Sequence, residues 1–200
     1  MKRAVSNLII VIIVVSAVFT SCKKDNDETY TVSGVITSSY SINWTDASVG
    51  VSFDEGEIWA AKAKILMNGV FSIKLPIPDE KNLETLSLPD GVYASESDVR
   101  MSEAKFYVRI DDKKGLLEPY TVRYFYVDKD VYVCGKHIQT FVEGKISSTS
   151  IYELVMRKGW NIVLYELAEE TPPAHSTKFI YTTHQSPAPS NVVWWVYGLE

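Results

Sequence analysis

The side chains with the widest chemical reach in this chain of 200 residues are three histidines, two cysteines and a pair of adjacent tryptophans. His137, His175 and His184 are scattered, and none sits in an HExxH pattern that would set two imidazoles around zinc on one helix face. No GxSxG elbow, CxxC pair or phosphate-cradling glycine loop occurs. His175 follows a Pro-Pro-Ala loop and His184 ends a predicted strand, so both are expected at the surface. Carboxylates gather at Asp54-Glu55-Gly56-Glu57, Asp111-Asp112 and Asp128-Lys129-Asp130. A calcium loop needs roughly six to eight oxygens in a set order, which these lack, whereas Asp in a turn bonds its own backbone. Turn chemistry is their expected role, and no metal, cofactor or catalytic residue is assigned. Carboxylate pairs for glycoside hydrolysis depend on a tertiary spacing of about 5–10 Å, so a hydrolase stays open as a third reading.

The tryptophans lie in Val192-Val193-Trp194-Trp195-Val196-Tyr197. Successive side chains of a strand point to opposite faces, so Trp194 aligns with Val192 and Val196, and Trp195 with Val193 and Tyr197. Either the strand is central with both faces covered, or one tryptophan faces solvent. Exposed Trp and Tyr supply stacking and interface energy. Trp194, Trp195 and Tyr197 are therefore the candidate ligand-binding residues, for a glycan or a protein partner. Tyr120, Val122, Tyr124 and Tyr126 likewise share one face, opposite Arg123 and Phe125, as the edge of an amphipathic core.

The beginning of the chain reads as an address. Lys2 and Arg3 precede an uncharged run over residues 8–19, which small residues close at Thr20-Ser21-Cys22. This is the signal-peptide pattern; a membrane span needs about 20 apolar residues, and Lys23-Lys24-Asp25 ends the run too early. Phe19-Thr20-Ser21-Cys22 resembles the lipobox of bacterial lipoproteins, with Phe19 where Leu is usual. That resemblance implies cleavage before Cys22, lipidation of Cys22 and a membrane as partner through the anchor. Each buried methylene contributes about 0.8 kcal/mol and a single chain holds only marginally, so a stable anchor implies several acyl chains. Lys23-Lys24-Asp25-Asn26-Asp27-Glu28 reads as a solvated tether. It resembles the stretch after the cysteine in surface-displayed lipoproteins of some Gram-negative bacteria. The expected division is a signal peptide over 1–21, a lipidated tether over 22–29 and a domain over 30–200, at the outer membrane or cell surface.

The domain has the size of one ordinary folding unit. The formal net charge is −5, and loss of Lys2 and Arg3 makes it two units more negative. No basic stripe is visible along the sequence, so no nucleic-acid partner is expected. With 12 Tyr, 5 Trp and 7 Phe, the chain is rich in residues that suit a pleated, half-buried surface. The expectation is an all-β fold, an antiparallel β-sandwich of immunoglobulin or transthyretin-like type. Lipidation of Cys22 would leave Cys134 without a disulfide partner. Within Val131-Tyr132-Val133-Cys134 it is expected as an inert core residue.

Strands are expected at Tyr30–Thr37, at Lys105–Ile110 and over residues 50–53, 120–127, 131–134, 151–156, 159–167, 179–183 and 192–197. Asn68-Gly69 is a strong hairpin signal, because both positions of such a turn need φ > 0, and predicts a hairpin over 58–75. Asp111 to Gly115 is read as a turn, Asp128-Lys129-Asp130 as a tight connection, and Arg157-Lys158-Gly159 as a second hairpin. Residues 78–86, with Pro78 before acids and Leu83 and Leu86 three apart, predict one short helix or a loop crossing an end of the fold. Val32-Ser33-Gly34-Val35-Ile36, followed by Asn68-Gly69-Val70-Phe71-Ser72-Ile73-Lys74-Leu75-Pro76, resembles the transthyretin-like, carboxypeptidase-regulatory-like modules of exported bacterial proteins. The resemblance implies a structural or adhesive role without catalytic residues. These readings converge on a lipid-anchored extracytoplasmic binding or adhesion module, contacting a glycan or envelope protein through an aromatic face. A structural or assembly component of the envelope, such as a stalk or pilus accessory, is the alternative.

Overall fold

Phe71, Ile73 and Leu75 are buried while Ser72 and Lys74 between them are exposed, the period of two that makes a half-buried strand. The same physics organises the chain in the computed structural model, which describes residues 29–37, 42–54, 58–141, 146–171, 176–184 and 192–199. The expected signal peptide and tether over 1–28, with Cys22, and His175 lie outside the described residues. The strands are β1 (Tyr30–Thr37), β2 (Ser48–Ser52), β3 (Ala61–Lys64), β4 (Val70–Leu75), β5 (Glu84–Thr85), β6 (Val92–Ala94), β7 (Arg100–Glu103) and β8 (Lys105–Ile110). They continue as β9 (Lys113–Pro119), β10 (Val122–Val127), β11 (Val131–Phe141), β12 (Ile146–Met156), β13 (Gly159–Thr171), β14 (Ser176–His184) and β15 (Val193–Tyr197). The helix expected over 78–86 is a single 3-10 turn at Glu80–Asn82, followed by β5.

The fold is all-β, in two mixed sheets. The first has seven strands in the order β3-β2-β8-β9-β15-β1-β4, and the second has eight in the order β5-β7-β10-β13-β14-β12-β11-β6. The expected purely antiparallel arrangement is corrected, because β1–β15 and β12–β14 pair in parallel. Parallel neighbours need a crossover rather than a tight turn. Here β15 enters the first sheet from β14 of the second, and β14 is separated from β12 by all of β13.

Two expected pairings are also corrected. A turn forms at Leu66–Gly69, with Gly69 at φ 78 and its N–H donating to the Leu66 carbonyl at 2.9 Å, but Asn68 does not take the positive φ expected of it. Yet β3 ladders with β2 and β4 with β1, on opposite edges of the sheet. Only the Leu66 N–H reaches across, to the Val70 carbonyl at 2.8 Å. The turn therefore draws the two edges of the first sheet together and curls it. Likewise β12 and β13 flank the Arg157-Lys158-Gly159 turn but do not pair, since β14 lies between them. The second sheet is curled by the same device. Residues 86–91 carry the chain from edge strand β5 to edge strand β6, a span of at most about 25 Å for seven steps of extended chain.

Each curl encloses its own apolar core. The first contains Val32, Ile36, Val49, Val51, Phe71, Ile73, Phe106, Val108 and Trp194, together with Val122 and Tyr124 of β10 and Ile162 of β13. The second contains Val92, Val99, Val127, Val131, Val133, Leu154, Met156 and Val163. Strands β10 and β13 serve both, because alternate side chains leave on opposite faces. Val122, Tyr124 and Ile162 enter the first core, while Val127 and Val163 enter the second. This also places the tyrosines of β10: Tyr124 and Tyr126 are buried, whereas Tyr120 is exposed beyond the strand.

Candidate functional site

The second curl is incompletely filled. A cleft of about 410 Å³ opens inside it, floored by Phe125, Val133, Leu154, Met156 and Val163, with Leu86 and Leu88 of the edge-to-edge segment as its far wall. That volume falls in the range of roughly 300–1,000 Å³ found for small-ligand sites, which are mostly apolar with a few placed polar groups.

One wall is built by strand register. Tyr165 of β13 stands directly opposite Tyr181 of β14, and Tyr181 opposite Tyr152 of β12. Neighbouring strands are about 4.8 Å apart, so rings on opposed residues meet face to face. Tyr152 and Tyr181 stack at 4.7 Å with planes 6° apart, and Tyr165 follows at 6.1 Å and 30°. Such pairs contribute about 0.5–1.5 kcal/mol each beyond their buried area. Burial, and then the neighbouring Tyr181, push the Tyr152 phenol up, so it remains a neutral hydrogen-bond donor at pH 7. At the end of the row the Arg123 guanidinium lies 5.9 Å from the Tyr165 ring and donates from Nη1 to Glu103 Oε1 at 2.8 Å. Burial works against the charge on Arg123, and the hydrogen bond and charge of Glu103, with the negative groups around it, together outweigh burial. The cleft thus offers an apolar floor, an aromatic wall and one cation with its counter-ion.

Closure of the cleft depends on Gly135. It sits in β11 at φ 139, and a Cβ there would come within 2.3 Å of the Gly91 carbonyl oxygen. Without a side chain at that point the 86–91 segment can dock, and the Lys136 N–H donates to Gly91 at 3.0 Å. A polar clamp ties β7 to the end of β10 and to the 3-10 turn. Asp128 accepts from the Arg100 backbone N–H at 2.9 Å and from Arg100 Nε at 3.0 Å, and Arg100 Nη1 reaches Glu80 at 2.7 Å. Partial burial pushes the Asp128 carboxyl up, but the bonds from Arg100 prevail and hold it below its usual range. Asp130 similarly accepts from the Lys158 N–H and the Arg157 guanidinium, both at 2.8 Å. These acids work as turn and strand ties.

The residues singled out in the sequence fall elsewhere. Trp194 is a correction: it has no exposed surface and forms the centre of the first core, out of a ligand's reach. It meets Phe106 at 4.9 Å and Phe71 at 5.0 Å edge-on, and stacks on Tyr124 at 6.2 Å. Gly34 makes room for it, since a Cβ there would lie 2.3 Å from its Nε1. Trp195 and Tyr197 point outward, 37% and 51% exposed, beside exposed Val35 and Val193. Of the two readings of this strand, the one with a single tryptophan facing solvent is correct. Cys134 is also corrected. It is half-buried and points away from the second core, because it alternates with buried Val133. The Nδ1 of His137 lies 3.1 Å from the Asp90 carbonyl. Among the described residues, no group of three or more His, Cys, Asp or Glu side chains comes together in a way that could hold a metal.

The cleft residues Tyr152, Tyr165, Tyr181 and Arg123 were not legible as a group. The only signal in the sequence is a tyrosine in the middle of three late strands; their convergence depends on β14 inserting between β12 and β13. No protein-family model, curated protein or solved structure matches the chain.

Proposed function

We propose that this protein is a lipid-anchored extracytoplasmic binding module whose second sheet takes a small amphipathic ligand. The apolar body would lie on Phe125, Leu154 and Val163, and an anionic or strongly polar end would meet Arg123. The observation that carries this reading is the open apolar cleft walled by the Tyr152–Tyr181–Tyr165 stack. The lipobox-like Phe19-Thr20-Ser21-Cys22 and the polar tether after it support the anchor and the placement at the outer membrane or cell surface. The fold reading that goes with it is a sandwich in which β10 and β13 pack across the first sheet. The antiparallel neighbours β1 and β4, which carry the transthyretin-like motifs, favour such a segment.

Titration with 1-anilinonaphthalene-8-sulfonate, an apolar ring system with one sulfonate, tests the cleft. Expected are saturable binding of one probe per chain, weakening in Arg123→Gln and loss when Leu154→Phe fills the floor. Unsaturable binding, or binding indifferent to both variants, would overturn the reading.

A second reading has its own observation. The outward row of Val193, Trp195 and Tyr197, with Val35 beside it, is an exposed apolar and aromatic strip. It fits adhesion to a glycan or an envelope protein, or a subunit contact in a stalk or pilus accessory. Glycan-array binding that disappears in Trp195→Ala supports the first of these. A specific crosslinked envelope partner supports the second.

A further inference from the structure

We propose a second, independent site: the outer face of the first sheet, on the side of β2, β3 and β8, binds an extended anionic polysaccharide. Phe106, Val108 and Ile110 of β8 point into the core, so Arg109 and Tyr107 point outward. Register then assembles a row that is invisible along the chain. Lys64 opposes Ser48, Ser48 opposes Arg109, and Arg109 opposes Lys114. One step along, Lys62 opposes Gly50, and Gly50 opposes Tyr107.

Aromatic rings lie among these cations. A Cβ at Gly50 would come within 2.1 Å of Trp59, so the bare glycine lets the indole lie on the strand. Lys62 Nζ is then 5.7 Å and Arg109 Cζ 5.2 Å from the Trp59 ring, and Lys114 Nζ is 4.6 Å from the Tyr107 ring. The ion pairs formed among the described residues engage Arg100, Arg123, Lys129 and Arg157. Lys62, Lys64 and Arg109 form none there. A protein whose formal charge is −5 thus gathers four cations on one face, with Asp46 the acid beside Lys62 and Lys64.

The shape of the cluster selects the occupant. The cations stand on β3, β8 and β9, a line that also crosses β2, which suits an extended polymer better than a plane of lipid headgroups. Trp59 and Tyr107 are already covered by cations, leaving no bare ring for a nucleobase to stack on. A sulfated or uronate-bearing polysaccharide, an extended polyanion that needs no base stacking, meets both conditions.

Heparin-agarose chromatography of the full chain in neutral detergent tests the proposal, with unmodified agarose as blank. Expected are retention at low salt, elution as salt screens the contact, and loss of retention in the Lys62→Glu, Arg109→Glu double variant. Lys81→Glu, Lys136→Glu carries the same charge change elsewhere and is expected to stay bound. Far-UV circular dichroism and a thermal melt verify that both doubles are folded. No retention above blank agarose would overturn the proposal, as would equal loss in the two doubles. Binding to phosphatidylglycerol vesicles without heparin retention would overturn it in favour of a membrane surface.

Discussion

The two curled sheets fill their cores with different side chains. In the first, Trp194 meets Phe71, Phe106 and Tyr124 ring against ring, and large aromatics occupy the centre. In the second, the core is largely β-branched and aliphatic, the aromatic rings stand in a row along one wall, and a cleft of about 410 Å³ is left open. Protein interiors normally pack to the density of organic crystals. Where side-chain volume falls short of the enclosed space, the shortfall becomes a pocket. The first curl is a stability element, and the second has room for a ligand.

Three experiments break or sharpen that contrast. The largest effect is expected at Trp194, where replacement by Ala removes a fully buried ring and three aromatic contacts. A loss of about 3–5 kcal/mol is expected, measured by denaturant unfolding. A loss below about 1 kcal/mol would mean that the first core is not the main support of the fold. Next, Leu154→Phe adds volume to the floor of the cleft. If the second curl is underfilled, the variant gains roughly 0.5–2 kcal/mol, as cavity-filling changes commonly do. The same enlargement in a close-packed core would cost about 1–3 kcal/mol, so the sign of the change decides.

The smallest effect concerns the polar clamp of the second sheet. Asp128 is held below its usual range by Arg100, so the folded state binds a proton there less readily than the unfolded chain does. The stability it contributes is present above the unfolded carboxylate range and is lost as pH falls through the lower folded value. Asp128→Ala is expected to cost about 1 kcal/mol at pH 7. The difference from the unchanged protein should shrink as the pH falls below about 4, the ordinary range of Asp. A cost that does not change with pH would show that packing rather than charge holds the clamp.

Much of the local structure was legible. β1 and β8 have the bounds that alternation predicts, and a turn forms at Asn68-Gly69, although only Gly69 takes φ > 0. Partner choice was not legible. A turn constrains a few dihedral angles, but it does not dictate which strand lies alongside the next, and β3 and β4 separate to opposite edges within one residue of a well-formed turn. The segment 113–119 shows a related limit: Lys113-Lys114-Gly115 looks like turn chemistry, yet the β8–β9 reversal takes only Asp111 and Asp112, and the lysines are already in strand.

The sites divide in the same way. That only one tryptophan of Trp194-Trp195 can enter a given core layer is a property of strand geometry, readable from two adjacent letters. Which one enters depends on β15 lying between β9 and β1 over the Gly34 gap. The basic row of Lys64, Arg109 and Lys114 and the tyrosine row of Tyr152, Tyr181 and Tyr165 each join residues from separate strands by register. Sequence by itself determined the all-β character, most strand positions and the face each side chain shares with its neighbours, because these follow from local alternation and backbone preference. The tertiary structure alone decided which faces are core and which are surface, where space is left over, and which rows of side chains meet, because burial and register are set by contacts between residues far apart in the chain.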